Sequence, residues 1–455
     1  MRRLVVRLAG EVDADGRESV KFFLDQAPVD VANPGQLHRL TCDADTVLAV
    51  FGRTPLDGDG VRKVGEMLLD ELRAHPAVRA ALEVAVRTGT SAQCPIYLRL
   101  SSDEAAALPW ETLFDERSHF LALDGRWPIG RISDLLPQER DLRYFDPPLN
   151  LLGVLSAVGV DARPQWEHLR DAVLRSPLDV RLRAVIGDGD LYAAVAAEIW
   201  ELGDARLTAA PLAGKAELME EITTFDPHVL HLFSHGRGDY SPRLELATAR
   251  DHLLGRSSVI VEPGELRGLA PSAWLVVLNS CLGGADTPDT RSLAHRMVGA
   301  GYPAAIGMRE PITDTDGHLI TGSLYPALLA RLATLLVPGT VVELDWSTDL
   351  HQPRQRLRDK YLDVIGPDDP AGPSELAARH RDWTVPVLDV RPEPLTVETL
   401  EIHPALTDER RTYLLTLLRQ TSRLRLDLHA ATPAAAMAEI DQRITRTKQQ
   451  LRHRR

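Results

Sequence analysis

Apolar and polar residues alternate at residues 3–8 and again at 19–24, on either side of the turn signal Asp13-Ala14-Asp15-Gly16, which predicts a β-hairpin at the start of the chain. Between residues 60 and 87 the period changes. Val61, Val64, Met67, Leu68 and Leu72, then Val78, Leu82 and Val86, recur at helical spacing, and Pro76 divides them into two helices. Residues 96–100 return to the alternation of a strand, and after a short helical stretch comes the octet Leu108-Pro109-Trp110-Glu111-Thr112-Leu113-Phe114-Asp115.

Beyond Pro147-Pro148 the pattern becomes regular. Apolar runs predict strands near 150–156, 180–186, 228–234, 274–280, 303–308 and 385–389, separated by helices near 165–175, 190–202, 214–223, 291–300 and 317–335. Strands apolar on both faces that alternate with helices predict a buried, mostly parallel sheet covered on both sides. The stretch 338–382, rich in Pro, Asp and Arg, shows one clear helical piece around 354–364. Residues 408–455 carry 11 Lys or Arg against 5 Asp or Glu; they predict a basic helical tail capped by Thr407 or Asp408, with a second helix from Pro433, either docked on the body or holding a partner.

A chain of 455 residues is long for one core, and three parts are expected: 1–148, an N-terminal hairpin and helices; 149–392, the sheet core; and 393–455, the basic extension. Apolar residues at 44% and charged residues at 26% describe a folded chain rather than a disordered one. A net charge of −13 argues against nucleic acid as the default partner. Cys42, Cys94 and Cys281, odd in number and scattered, exclude a disulfide framework and predict a reducing compartment. The first apolar run, Leu4-Val5-Val6, is broken by Arg7, and no stretch reaches the roughly 18 apolar residues of a membrane helix, so a cytoplasmic protein is expected.

The candidate chemistry sits at two strand ends, Val229-Leu230-His231-Leu232-Phe233-Ser234-His235-Gly236 and Trp274-Leu275-Val276-Val277-Leu278-Asn279-Ser280-Cys281. Reactive groups in open α/β sheets collect at the carboxyl ends of strands, so neighbouring parallel strands would put His235 beside Cys281. A thiolate attacks a carbonyl carbon, and an imidazole supplies it by taking the thiol proton and later protonating the leaving amine. The amides of Gly236 and Cys281 are the candidate oxyanion donors, and Gly283-Gly284 would turn the backbone out of the strand. His228, His231 and His235 have the spacing of metal ligands on a helix, but the residues between them favour a strand, whose period of two places His228 on the opposite face from the other two. No metal site is expected. Gly236-Arg237-Gly238 lacks the lysine or third glycine of a nucleotide loop, so no cofactor is expected either.

These blocks, with the octet at 108–115, Phe120-Leu121-Ala122-Leu123-Asp124, Pro128-Ile129-Gly130-Arg131, residues 300–308, Pro311-Ile312-Thr313-Asp314, Tyr325 and Trp383-Thr384-Val385-Pro386-Val387, resemble in order the CHAT family of caspase-like cysteine peptidases, relatives of caspases and separase. The resemblance implies a caspase-like α/β sheet with helices on both faces and a His235/Cys281 dyad without cofactor. It also implies an endopeptidase that cleaves selected proteins as an effector in a bacterial signalling or defence system, silent until a partner activates it. The chain has no 34-residue repeat, so activation is expected from another protein, with the C-terminal helices as the candidate contact, or from the C-terminal part itself. Related peptidases that cleave after Arg or Lys carry an acidic residue just before the cysteine; Asn279 and Ser280 stand there instead, which points to an uncharged P1 residue. Asp239, Asn279, Asp286 and Asp314 are the candidate pocket residues. Two rivals stand beside this reading: a catalytically silent scaffold or adaptor of the same fold, and an unrelated α/β binding domain.

Overall fold

The computed structural model describes residues 3–12, 18–52, 59–87, 93–134, 142–237, 242–280, 292–362, 372–403, 405–427 and 434–452. Its centre is a mixed α/β sheet, mostly parallel, in which the strands Leu207–Pro211, Val180–Ile186, Leu149–Ser156, Val229–Arg237, Leu275–Ser280, Ala304–Met308, Pro386–Val390, Ile129–Ser133, Ile96–Leu100, Leu4–Val12, Glu18–Gln26 and His38–Arg39 lie side by side in that order. The first six run parallel to one another. In chain order they stand third, second, first, fourth, fifth and sixth, so the order reverses between Leu149–Ser156 and Val229–Arg237.

The long apolar runs become strands because both faces of the sheet are covered. Val229, Phe233, Leu151 and Val277 face one core with the helices Arg163–Arg175 and Asp314–Leu335. Leu230, Leu232, Val154 and Val276 face the other with Lys215–Phe225 and Leu293–Gly299.

The strand expected near 385–389 breaks the parallel pattern. Pro386–Val390 runs antiparallel to Ala304–Met308, with Ile306 opposite Leu388, and then parallel to Ile129–Ser133. A second parallel block follows, directed against the first, and its last member is the first strand of the hairpin, which pairs with Ile96–Leu100. The hairpin expected ahead of the core thus extends the core sheet, which runs across the division drawn at 148; its turn, 13–16, lies outside the described residues. Leu395–Thr399 belongs to the body as well, in a small sheet with Val341–Leu344 and Leu142–Phe145. The C-terminal helices Asp408–Asp427 and Ala434–Arg452 dock there through Leu414, Leu418, Ile444 and Leu451 against Tyr144 and Leu400. Arg411 forks onto Asp146 at 2.7 and 3.0 Å. Among the described residues no helix is long and apolar enough to cross a membrane.

The octet at 108–115 is a structural element of the second block. Trp110 is buried and its Nε1 donates to the Ala105 carbonyl at 2.7 Å. Glu111, equally buried, receives a two-pronged bond from Arg131 at 2.8 and 3.0 Å, while Arg131 Nη1 and Nη2 also donate to the carbonyls of Ala106 and Leu108. Buried Arg354 lies near enough for Glu111 to oppose the loss of its charge, yet burial still pulls that guanidinium down to about 10. Glu111 therefore neutralises charge that the core cannot otherwise hold.

His228 and His231 are core residues too. The strand begins at Val229, so alternation does not bind His228, and its ring turns into the core that also holds His231, 4.8 Å from Trp274 and 5.6 Å from Phe145. This corrects the expected placement on opposite faces. His231 stands edge-on to Tyr325 at 5.5 Å, and burial pushes both histidines down to about 3.

Two results are expected from this packing. Glu111→Ala leaves Arg131 buried without its carboxylate and lowers unfolding free energy by about 3–5 kcal/mol in urea titrations, with Glu111→Gln losing less. The histidines stay neutral in the folded chain and take up protons once unfolded. Stability is then full above about pH 6.5 and falls by about 1.4 kcal/mol per pH unit for each histidine as pH drops toward their folded values. Urea midpoints between pH 7 and 5 check this, and His231→Leu should remove one histidine's share of the slope.

Candidate functional site

The site is built at the carboxyl ends of the first parallel block. Register fixes the arrangement: Ser156, Ser234 and Ser280 are Cα partners across three adjacent strands, so those strands finish level with one another. His235 follows Ser234. Cys281 follows Ser280 in the chain and lies outside the described residues, as do Gly283, Gly284, Asp239 and Asp286. Ligands of open sheets settle where strand order reverses, and His235 stands at that point, between Leu149–Ser156 and Val229–Arg237.

The imidazole of His235 is half-buried and reaches across the reversal: its Nε2 lies 2.7 Å from the carbonyl oxygen of Val158, two residues beyond Ser156. A carbonyl oxygen only accepts, so Nε2 carries the proton and donates, and Nδ1 is left with its lone pair. This fixed tautomer is what a general base needs.

Past Ser234 the histidine strand leaves the main sheet and pairs antiparallel with Arg243–Leu246, which in turn pairs with Val259–Val261. His235 is opposite Glu245 and Gly236 opposite Leu244. Glu245 sits 3.6 Å from Arg243 in an ion pair, which puts charged groups on the strand beside the imidazole. Gly236 is buried at this turn-off.

The other candidates separate. Asn279 is buried, and its amide donates to the Gly317 carbonyl at 2.8 Å and to Thr321 Oγ1 at 2.9 Å, both on the helix Asp314–Leu335. A Cβ at Gly317 would lie 2.8 Å from the Asn279 Oδ1, so glycine there lets the two elements close. Asn279 is an anchor for the helix rather than a lining of an open pocket. Asp314 is exposed in the first turn of that helix, next to the cap formed by Thr313 Oγ1 and the Asp316 amide at 3.1 Å. One turn on, His318 bonds Gln165 at 3.0 Å and faces Phe233; burial holds it below its ordinary value while the charge of Asp314 opposes that shift.

Sequence reasoning missed Val158, Ser156, Gly187 and the strand Arg243–Leu246. Val158 and the strand act through backbone atoms, Gly187 by close approach, and Ser156 through a hydroxyl whose partner is distant in the chain, none of which residue type announces. The one available signal was the serine ending each of three apolar strands. A cavity of about 430 Å³ lined by Arg3, Tyr97, Arg99, Asp345 and Trp346 lies beside Pro303, just before the amino end of Ala304–Met308 and so away from the carboxyl ends that carry the site, and takes no part in it.

Comparisons with known proteins give three findings. No curated protein matches the chain. Two crystal structures of the Saccharomyces cerevisiae separase–securin complex, at 2.6 and 3.0 Å, contain chains similar to this one at 12% and 11% identity, each with a TM-score of 0.33, covering 81% and 82% of this chain. The match spans 21% of the separase–securin chains' own length, about a fifth. The model of the CHAT domain matches residues 62–336, more than half of the sequence, and on that match the chain belongs to the CHAT domain family.

Proposed function

We propose that this chain is a cysteine endopeptidase that cleaves selected proteins, with Cys281 as nucleophile and His235 as general base and acid, acting as an effector in a bacterial signalling or defence system and switched on by a partner protein. The observation that carries the reading is the bond from His235 Nε2 to the Val158 carbonyl, one residue past the level where Ser234 pairs with Ser280. It leaves Nδ1 as the basic nitrogen at the end of a strand whose neighbour runs directly into Cys281.

The reaction follows from these groups. Nδ1 takes the thiol proton, the sulfur forms a bond to the scissile carbonyl carbon, and the π pair moves onto oxygen, where the amides of Gly236 and Cys281 receive it. As the C–N bond breaks, the imidazolium gives its proton to the departing amine, leaving a thioester. Water then attacks the thioester carbon, loses its proton to Nδ1 and releases the acid and the thiol. No cofactor is required. Asp314 is the described acidic residue that we assign to the substrate rim, with Asp239 and Asp286; a P1 residue without charge fits the lack of a carboxylate at the two positions before the nucleophile.

Selective alkylation tests the dyad. Burial, helped by the charge of Glu71, pushes the Cys42 thiol up to about 11, and Cys94 is buried, so neither reacts readily at neutral pH. Iodoacetamide near pH 6.5 should label Cys281 alone, and His235→Ala should slow that labelling to the rate of an ordinary thiol of pKa about 8.5. Equal rates in both proteins contradict the reading. With a protein substrate, His235→Ala lowers kcat/KM about 10²- to 10⁴-fold and Cys281→Ala abolishes cleavage. Partner binding without cleavage by the wild-type chain would support the scaffold reading instead.

A further inference from the structure

We infer that Ser156 is a positioning residue for His235, an inference that rests on the peptidase reading above. Ser156 is buried, and its hydroxyl makes two bonds to one residue: Oγ donates to the Ala247 carbonyl at 2.8 Å and accepts from the Ala247 amide at 2.7 Å. These bonds cross a gap that the sheet cannot close. Leu149–Ser156 pairs with the histidine strand only as far as Ser234, whereas Arg243–Leu246 pairs with it from His235 onward. The side chain of Ser156 supplies the connection where the backbone ladder changes partners.

The segments on both sides of His235, one bonded to its ring and the other paired with its backbone, are joined at this hydroxyl. Two residues after Ser156 is Val158, whose carbonyl fixes the His235 tautomer, and two residues before Ala247 is Glu245, the cross-strand partner of His235. The neighbouring strand end is shaped to admit the connection: a Cβ at Gly187 would lie 2.1 Å from the Ala247 carbonyl oxygen and 2.6 Å from Ser156 Oγ. Ser234 and Ser280 occupy the same row, yet their buried hydroxyls have no hydrogen-bond partner among the described residues. The pair of hydrogen bonds at Ser156 is therefore particular to that position and not a property of serine at a strand end.

The test uses the full chain with ¹⁵N-labelled histidine, the His235 signals being identified by their loss in His235→Ala. The wild type should show a single Nε2–H tautomer. Ser156→Ala, with circular dichroism unchanged, should lose that single tautomer, shift the pH profile of Cys281 alkylation toward an ordinary thiol, and lower kcat by about 10- to 100-fold with KM little changed, the size of effect that misplacement by about 1 Å produces. Ser156→Thr, which keeps the hydroxyl, should restore the tautomer. If Ser156→Ala does not fold, Ser156→Cys, nearly isosteric and a weaker donor, is read by the tautomer alone. A folded Ser156 variant with wild-type tautomer and pH profile overturns the inference and leaves the peptidase reading intact. A wild type in which Cys281 alkylation ignores His235 overturns the peptidase reading, and the tautomer still decides the role of Ser156.

Discussion

Everything at the candidate site depends on register. Because Ser156, Ser234 and Ser280 are partners across three parallel strands, the segments that leave those strands start from one level, and short reaches such as His235 to Val158 become possible. A slip of one residue in any of the three would turn the strand's side chains to the other face and exchange its two cores. Burial on both faces makes such a slip costly. The apolar packing of the sheet is thus what holds a polar site in alignment, although none of the packed residues takes part in the proposed chemistry.

The second constraint is charge kept inside. Glu111 with Arg131, and the guanidinium of Arg354 near them, lie at the block of strands that runs against the block carrying His235. The most distinctive sequence landmark before the strand ends, the octet at 108–115, belongs to this buried arrangement and lies away from His235. A recognisable motif in this chain can therefore have a purely structural origin: the octet neutralises charge that the extended sheet has enclosed. The Asp146–Arg411 pair performs a milder version of the same task where the basic C-terminal helices meet the body.

Much of the fold was legible because its signals are periodic. The strands ending at Ser156, Ile186, Ser280 and Met308 and the helices after them follow from apolar runs and their spacing, and so does the position of His235 just past such a run, level with the neighbouring strand ends. Three features were not legible. Direction is invisible to hydrophobicity, so the antiparallel course of Pro386–Val390 gave no sign in the sequence. The joining of the N-terminal hairpin to the core sheet is a long-range pairing that local alternation does not encode. Asn279, polar beside the expected nucleophile, suggested a pocket, whereas its amide is spent on the carbonyl of Gly317 and the hydroxyl of Thr321. In each case a tertiary partner far along the chain decides the outcome.

The most direct measurement of the central claim is a crystal structure of the full chain reacted with a peptide aldehyde. The account predicts a hemithioacetal on Cys281 Sγ, its oxygen directed at the Gly236 amide, His235 Nδ1 within about 4 Å of the sulfur, allowing for some loosening of hydrogen-bond reach, and Nε2 still bonded to the Val158 carbonyl. An aldehyde bound at another residue, or an imidazole on the far side of the strand from the sulfur, would contradict it.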